Sequence, residues 1–355
     1  MNYLFVNLGK HYGGAENYLI SVINGCLDNS DKPFVIAKSG SPFEKKIFSI
    51  LPDSHICSVN YSRKDLQIAK TFISKNHIQM INVNGINSGA FINLLRLDIP
   101  RITVVHSNAE IDRADKTWLV RKLFVCLENY NLKMSDSIIV VSESIKELLI
   151  KRGIGENKIN VIHNGVKEIK YSEIIKQRNG RTKLCYIGRL EKVKGCEYLL
   201  KALGIIANEN FICDIFGDGS LKSELELLSV ELGINKKVRF SGFNPNIREK
   251  LNEYDVIVLP SLSEAFPLTI PEAMNARVLL ICSNVGGIPY IIQDSISGYL
   301  FEAKNYIQLA EKLEYTIQHY DERQLIVERA YELFLRNYTL DRMISKTFKL
   351  MENLV

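Results

Sequence analysis

The chain has 355 residues, more than one ordinary core accommodates, so two domains are expected at about 150 residues each. Hydrophobic residues make up 46% of it and charged residues 24%, which excludes disordered and fibrous classes. The net charge of +5 is modest, and without an arginine-rich run interleaved with aromatics it does not indicate nucleic acid as a partner.

The opening segment, MNYLFVNLGKHYGG, has a short apolar run without a basic leader or cleavage-site pattern. It reads as a first strand rather than a signal peptide, and a cytoplasmic chain is expected. The longest apolar runs, 137–141, 256–260 and 277–282, fall far short of the roughly 20 residues of a spanning helix, so no transmembrane segment is expected. The seven cysteines are dispersed, with no CxxC pair to suggest zinc or redox chemistry, and read as reduced, mostly buried thiols.

In chain order, residues 3–7 form a strand-like run, followed by a glycine-containing turn and an amphipathic stretch over 15–27. Short apolar runs at 34–37, 80–83, 101–105, 137–141 and 158–162 then alternate with helical patterns. Such alternation is the signature of a parallel sheet covered by helices. The polar stretch that follows holds the expected linker, 168–181. The unit then restarts with a strand at 183–187, a turn at 188–195 and a helix at 197–207, and strands recur at 211–216, 238–241, 256–259 and 278–282. The expected fold class is therefore α/β, with two doubly wound domains at 1–167 and 182–340. Their sheets' carboxyl ends would surround a shared crevice where a ligand binds. Segment 341–355 is helical in pattern and lies beyond the last evident strand, and periodicity does not say where it packs.

Gly188, Arg189 and Lys194 follow a strand where the chain turns toward a helix, a place suited to anions. Arg can fork two hydrogen bonds to phosphate oxygens and Lys can supply a point charge; solvated surface residues near a turn are an equal alternative. Gly13 and Gly14 lack the full GxGxxG fingerprint, so nicotinamide binding is unsupported, although bare amides there can approach a phosphate. A tight strand-to-helix turn needs glycine just as much, and Gly217 in FGDG has the same ambiguity.

The most informative cluster is SEAFPLTIPEAM, from Ser263 to Met274, in which Glu264 and Glu272 stand eight positions apart. Pro271 and Glu272 suit the first turn of a helix, and Thr269 with Glu272 fits a capping box, which is the plain alternative to a ligand role for Glu272. Glu264, in an apolar loop directly after a strand, is suited to binding hydroxyl groups or stabilising positive charge. His106 ends the run 101–105, and a histidine taken alone there is more often structural than catalytic.

These residues resemble a known family. SEAFPLTIPEAM looks like the E-x7-E segment of the retaining glycosyltransferases of family GT4, which have the two-domain GT-B fold. Gly13-Gly14-Ala15-Glu16 resembles the family's GGAE loop, VIHNGV at 161–166 its inter-domain turn, and Gly188-Arg189 with Lys194-Gly195 its GR...KG element. The tetrapeptides at 216–219, 286–289 and 297–300 also sit in the family's order, so the matches span nearly the whole chain. The resemblance implies that Arg189 and Lys194 bind the donor diphosphate, with the backbone at Gly13, Gly14 and Gly217 close to the donor. It implies that Glu272 holds the ribose hydroxyls and that Glu264, with the backbone of Phe266, Leu268 and Thr269, contacts the donor sugar. It places His106 opposite that sugar as a catalytic residue and the base near Phe243. It also implies that 341–355 packs back on the first domain.

No Asp-x-Asp triplet occurs, so the metal clasp of many other glycosyltransferases is missing from the sequence. No cofactor and a metal-independent reaction are expected. The expectation is a transferase moving a hexose or N-acetylhexosamine, with a UDP-sugar favoured as donor, to a saccharide or lipid-linked saccharide in surface polysaccharide or glycolipid synthesis. The segment 116–122 joins the chain's single tryptophan, Trp118, to Lys116, Arg121 and Lys122. It reads as an amphipathic helix face or, less simply, as a contact with the inner membrane surface. The rival readings are a UDP-N-acetylglucosamine epimerase on a similar plan and a non-catalytic nucleotide-sugar-binding subunit.

Overall fold

A computed structural model of the chain describes residues 1–108, 116–171, 180–206, 209–319 and 322–355. Most of the expected linker, 172–179, lies outside the described residues, as does position 207 at the end of the expected helix 197–207. The chain divides into two units, Met1–Gly165 together with Leu340–Val355, and Val166–Thr339.

The first unit contains strands β1 (Asn2–Asn7), β2 (Lys32–Lys38), β3 (Ile56–Val59), β4 (Met80–Asn84), β5 (Arg101–Val105), β6 (Ser137–Val140) and β7 (Ile159–Val161). They pair in the order β3-β2-β1-β4-β5-β6-β7, and every pairing is parallel. Strand β1 shows why its sequence reads as a continuous apolar run. Tyr3 and Phe5 enter one core with Leu19 and Ile23 of the helix Gly14–Asp28, whereas Leu4 and Val6 enter the other with Ile73 and Phe91. A strand buried on both faces has no polar side to alternate with. The final helix, Leu340–Glu352, adds Met343, Phe348 and Met351 to the first of these cores. Gly25 makes room for it, since a Cβ there would stand 2.7 Å from Ile344 Cγ2.

The second unit contains β8 (Thr182–Ile187), β9 (Phe211–Phe216), β10 (Val238–Gly242), β11 (Val256–Leu259), β12 (Leu279–Ser283) and β13 (Tyr299–Phe301), paired as β10-β9-β8-β11-β12-β13, again all parallel. The sequence reading lacks β3 and β13, of 4 and 3 residues. In each sheet the strand order runs outward from the first strand and then reverses, at β1 beside β4 and at β8 beside β11. Loops leaving the two strands at a reversal turn to opposite faces, and a depression opens at the strands' carboxyl ends.

In the second unit the loops around that depression touch backbone to backbone. A Cβ would lie 2.0 Å from Pro260 O at Gly195, 1.9 Å from Gly188 O at Gly217 and 1.9 Å from Glu264 O at Gly286. All three glycines also have positive φ, at 65°, 137° and 55° respectively. Amides tie the same loops together: Leu262 N donates to Val193 O at 2.8 Å, Leu190 N to Asp218 O at 2.9 Å, and Gly287 N to Glu264 O at 2.9 Å. Gly195→Ala is expected to lower the unfolding free energy by about 2 kcal/mol or more, from combined clash and left-handed strain. Gly14→Ala, whose Cβ meets nothing within 4 Å, is expected to change it by less than about 0.5 kcal/mol in the same denaturant titration.

Candidate functional site

The depression between β8 and β11 holds the chemistry of the second unit. Lys194 leaves the β8 loop just before Gly195, and its Nζ donates to Glu264 Oε1 at 2.6 Å. Ser261 Oγ donates to the same oxygen at 2.8 Å, and Ser283 Oγ fixes that loop from β12 by donating to Ser261 O at 2.5 Å. Among the described residues, both side-chain bonds to the Glu264 carboxylate fall on Oε1. Oε2 is left to accept from a hydroxyl group. The side chain of Glu264 is nearly buried, so the ion pair acts at an effective dielectric lower than water's. Arg189 is exposed on the same β8 loop, and no described residue forms an ion pair with its guanidinium. Together these groups present two cations to an anion and one carboxylate oxygen to a polyol.

Glu272 lies on the short helix Thr269–Asn275. The capping box open to it in the sequence does not form: Leu268 is the N-cap, no side chain caps the helix, and Glu272 is buried at its fourth position. Its Oε1 stands 2.7 Å from Arg248 Nε, an ion pair without hydrogen-bond alignment. Burial pushes the Glu272 carboxyl up to about 7, against the opposing pull of Arg248. Tyr171 OH donates to Arg248 O at 2.5 Å, and burial and then the nearby Glu272 charge raise that phenol to about 12. In the same unit Phe266 is buried against Tyr338 with ring centroids 5.8 Å apart, while Leu268 and Thr269 are half-buried. Phe243 is 75% exposed and follows Gly242, which has φ of 69°; its amide donates to Asp218 Oδ2 at 3.1 Å. An aromatic ring is thus held outward beside the Gly217 loop.

The first unit has its own depression at the β1/β4 reversal, a cavity of about 240 Å³ lined among others by Asn7, Glu16, Asn84, Ser88 and His106. Its polar lining comes from strand ends. Asn82 and Asn84 share one face of β4, and Asn84 Nδ2 donates to Asn82 Oδ1 at 2.8 Å. His106 Nε2 lies 3.1 Å from Asn84 Oδ1, and its ring meets Tyr18 edge-on at 5.0 Å. Burial lowers the imidazole to about 4, so at neutral pH the ring is uncharged. With Nε2–H donating to Asn84, Nδ1 is an acceptor, and it is buried without a partner among the described residues. Glu16 caps the helix Gly14–Asp28 by accepting from Gly13 N at 2.8 Å and also accepts from Asn7 Nδ2 at 3.1 Å. Gly13 is extended, at φ −163°, and Gly14 packs against nothing, so the turn itself does not demand glycine at either position.

Both halves of the chain match known proteins. Residues 12–168 match the model of Glycosyltransferase Family 4, and residues 168–333 match that of the glycosyl transferases group 1. The chain belongs to glycosyltransferase family 4. It is 26% identical to the Campylobacter jejuni GalNAc-α-(1→4)-GalNAc-α-(1→3)-diNAcBac-PP-undecaprenol α-1,4-N-acetyl-D-galactosaminyltransferase, over 93% of this chain and 92% of that one. It is 30% identical to the Escherichia coli UDP-Gal:α-D-GlcNAc-diphosphoundecaprenol α-1,3-galactosyltransferase over 52% of this chain, and spans about half, 51%, of that relative. The crystal structure of Anabaena HepE in complex with UDP superposes with a TM-score of 0.85 at 18% identity, covering 100% of both chains. The fold is GT-B, as in that structure.

Within this family member the residues singled out in the sequence fall into two groups. Arg189, Lys194, Gly217, Phe243, Glu264, Phe266, Leu268, Thr269 and Glu272 belong to the second unit, and Gly13, Gly14 and His106 to the first. Sequence reasoning missed Ser261 and Arg248 in the second unit and Asn7, Asn82 and Asn84 in the first. The asparagines carried a signal, since MINVNG alternates amides within an otherwise apolar strand. Arg248 carried none, because it reaches Glu272 only through the tertiary fold. The shifted carboxyl of Glu272 has a measurable consequence. Between the ordinary carboxylate range and pH 7 the folded state holds a proton that the unfolded state has released, so stability falls as pH rises across that window. Glu272→Gln is expected to flatten that part of the stability profile, on the order of 3 kcal/mol over the window, as read by denaturant titrations at a series of pH values.

Proposed function

We propose that this chain is a retaining, metal-independent transferase that moves a hexose or N-acetylhexosamine from a UDP-sugar to a lipid-linked saccharide at the membrane surface, in surface polysaccharide or glycolipid synthesis. The observation that carries the reading is the Lys194–Glu264 pair at the β8/β11 reversal, with the exposed Arg189 on the same loop. Two cations there can neutralise the charge that develops on a departing diphosphate, the part that an Asp-x-Asp-bound metal plays elsewhere. In the reaction the bond from the sugar's C1 to the diphosphate oxygen breaks and a bond from C1 to the acceptor oxygen forms. The acceptor's proton leaves with the diphosphate. Glu264 Oε2 receives a donor-sugar hydroxyl, Glu272 receives the ribose hydroxyls and Phe243 offers a face to the base. In the first unit, His106 Nδ1 and the amides around it suit saccharide hydroxyls, which both donate and accept.

The UDP preference is supported by HepE, solved with UDP and with UDP-glucose, and the lipid-linked acceptor by the diphosphoundecaprenol substrates in the names of both relatives. UDP release is the direct test, using purified protein, a panel of UDP-, GDP- and ADP-sugars and a lipid-linked saccharide extract. Turnover with a UDP-sugar that survives EDTA and yields a product with the donor's anomeric configuration is expected. Arg189→Ala is expected to lower kcat by about 10²-fold or more, in line with removing a transition-state donor. Binding of no nucleotide-sugar, together with no effect of Arg189→Ala or Glu272→Ala, defeats the proposal. Donor interconversion without any acceptor, followed by NMR, identifies an epimerase instead.

A further inference from the structure

A second cavity opens in the first unit at the amino ends of β4 and β5, the opposite ends of those strands from the depression that holds His106. It measures about 260 Å³. Ile81, Ile92 and Ile99 give it an apolar lining, the first two buried and the third half-buried, and Arg96 and Arg101 line it as well. Both arginines come from the connection between the helix Ile86–Leu95 and β5. Arg96 ends the helix in the left-handed conformation, at φ 50°, and is exposed, whereas Arg101 opens β5 and is half-buried. Neither guanidinium forms an ion pair among the described residues. The neighbouring acids do not supply one: Asp98 is exposed, and Asp136 accepts from Arg101 N at 2.9 Å rather than from the side chain. Burial works against the Arg101 charge and lowers its pKa, while Asp136 and Tyr130 pull the other way.

A cation removed from water is ordinarily paired with a charge. Arg101 is held by amides instead. Its Nη1 donates to Asn93 Oδ1 at 2.5 Å, Asn93 Nδ2 donates to Asn131 Oδ1 at 2.7 Å, and Asn131 Nδ2 donates to Ile86 O at 2.9 Å. The chain of bonds fixes the orientation of both amides, so Asn93 presents its oxygen to Arg101. A neutral acceptor orients the guanidinium without cancelling its charge, and it occupies one of five N–H groups. We infer that this cavity binds a small organic oxyanion, a carboxylate or phosphate on an apolar body, with Arg96 and Arg101 on the anionic group and the three isoleucines against the body. The volume lies just under the usual range for drug-sized ligands and limits that body to about one ring. The inference needs neither the donor nor the acceptor assignment of the proposed function.

The test is methyl NMR of the full chain with labelled isoleucine, titrated separately with phenyl phosphate, benzoate, inorganic phosphate and phenol. Phenyl phosphate or benzoate is expected to shift the methyls of Ile81, Ile92 and Ile99 and to bind about tenfold or more tighter than inorganic phosphate or phenol. The tighter of the two identifies the oxyanion. Arg101→Gln is expected to weaken that binding about tenfold or more, and Arg96→Ala about fivefold. Circular dichroism reports whether each variant folds, and Arg96 is exposed, so its variant tests the site where Arg101→Gln does not fold. Arg189→Ala is expected to leave the three shifts in place, which separates this cavity from the depression at β8/β11. Absence of shifts at these isoleucines, equal binding of inorganic phosphate, or undiminished binding by Arg96→Ala overturns the inference. Loss of UDP release with the shifts intact counts only against the transferase reading.

Discussion

The second unit depends on loops that approach one another more closely than any side chain permits. Gly195 against Pro260, Gly217 against Gly188 and Gly286 against Glu264 are contacts between backbones, and each glycine also has the positive φ that other residues rarely adopt. These contacts hold the loops after β8, β9, β11 and β12 in one layer over the strand ends. Lys194 and Glu264 sit next to two of the contact points, so the ion pair between them is a consequence of the backbone packing beneath it.

A reversal in strand order places each polar site. At β8/β11 the result is a charged depression, with two basic side chains and a carboxylate. At β1/β4 the same topology produces one lined by amides, an uncharged imidazole and Glu16, whose carboxylate is engaged by Gly13 N and Asn7 Nδ2. The difference follows from what the strand ends carry: a basic loop after β8, and asparagines at the ends of β1 and β4.

The two glutamates of SEAFPLTIPEAM differ because their surroundings differ. Glu264 is compensated twice on one oxygen, by an ammonium and a hydroxyl, and keeps the other oxygen available. Glu272 has one misaligned partner and is buried, which is why its carboxyl titrates near 7. A ligand that satisfies Glu272 therefore also stabilises its ionised form, so binding to it is coupled to pH.

Local chemistry made most of the architecture legible in the sequence. Strands such as 256–259, VIVL, are apolar throughout because both faces of a parallel sheet are covered, and that pattern needs no knowledge of the partner. The glycine and glutamate motifs were visible through the resemblance to the family, since spacing alone left the glycines as plain turns and Glu272 as a helix cap. Three things were decided only by the tertiary structure. Whether Glu272 capped its helix or was buried depended on the residues around that helix, and Arg248 and Tyr171 come from distant segments. The final helix packs on the first unit because a bare surface at Gly25 accepts Ile344 and Phe348, a fit that no periodicity records. The residues of 116–122 announced an amphipathic helix face, but only the packing of Glu128 and Asn131 inward showed that the apolar stripe of the helix Trp118–Lys133 faces out.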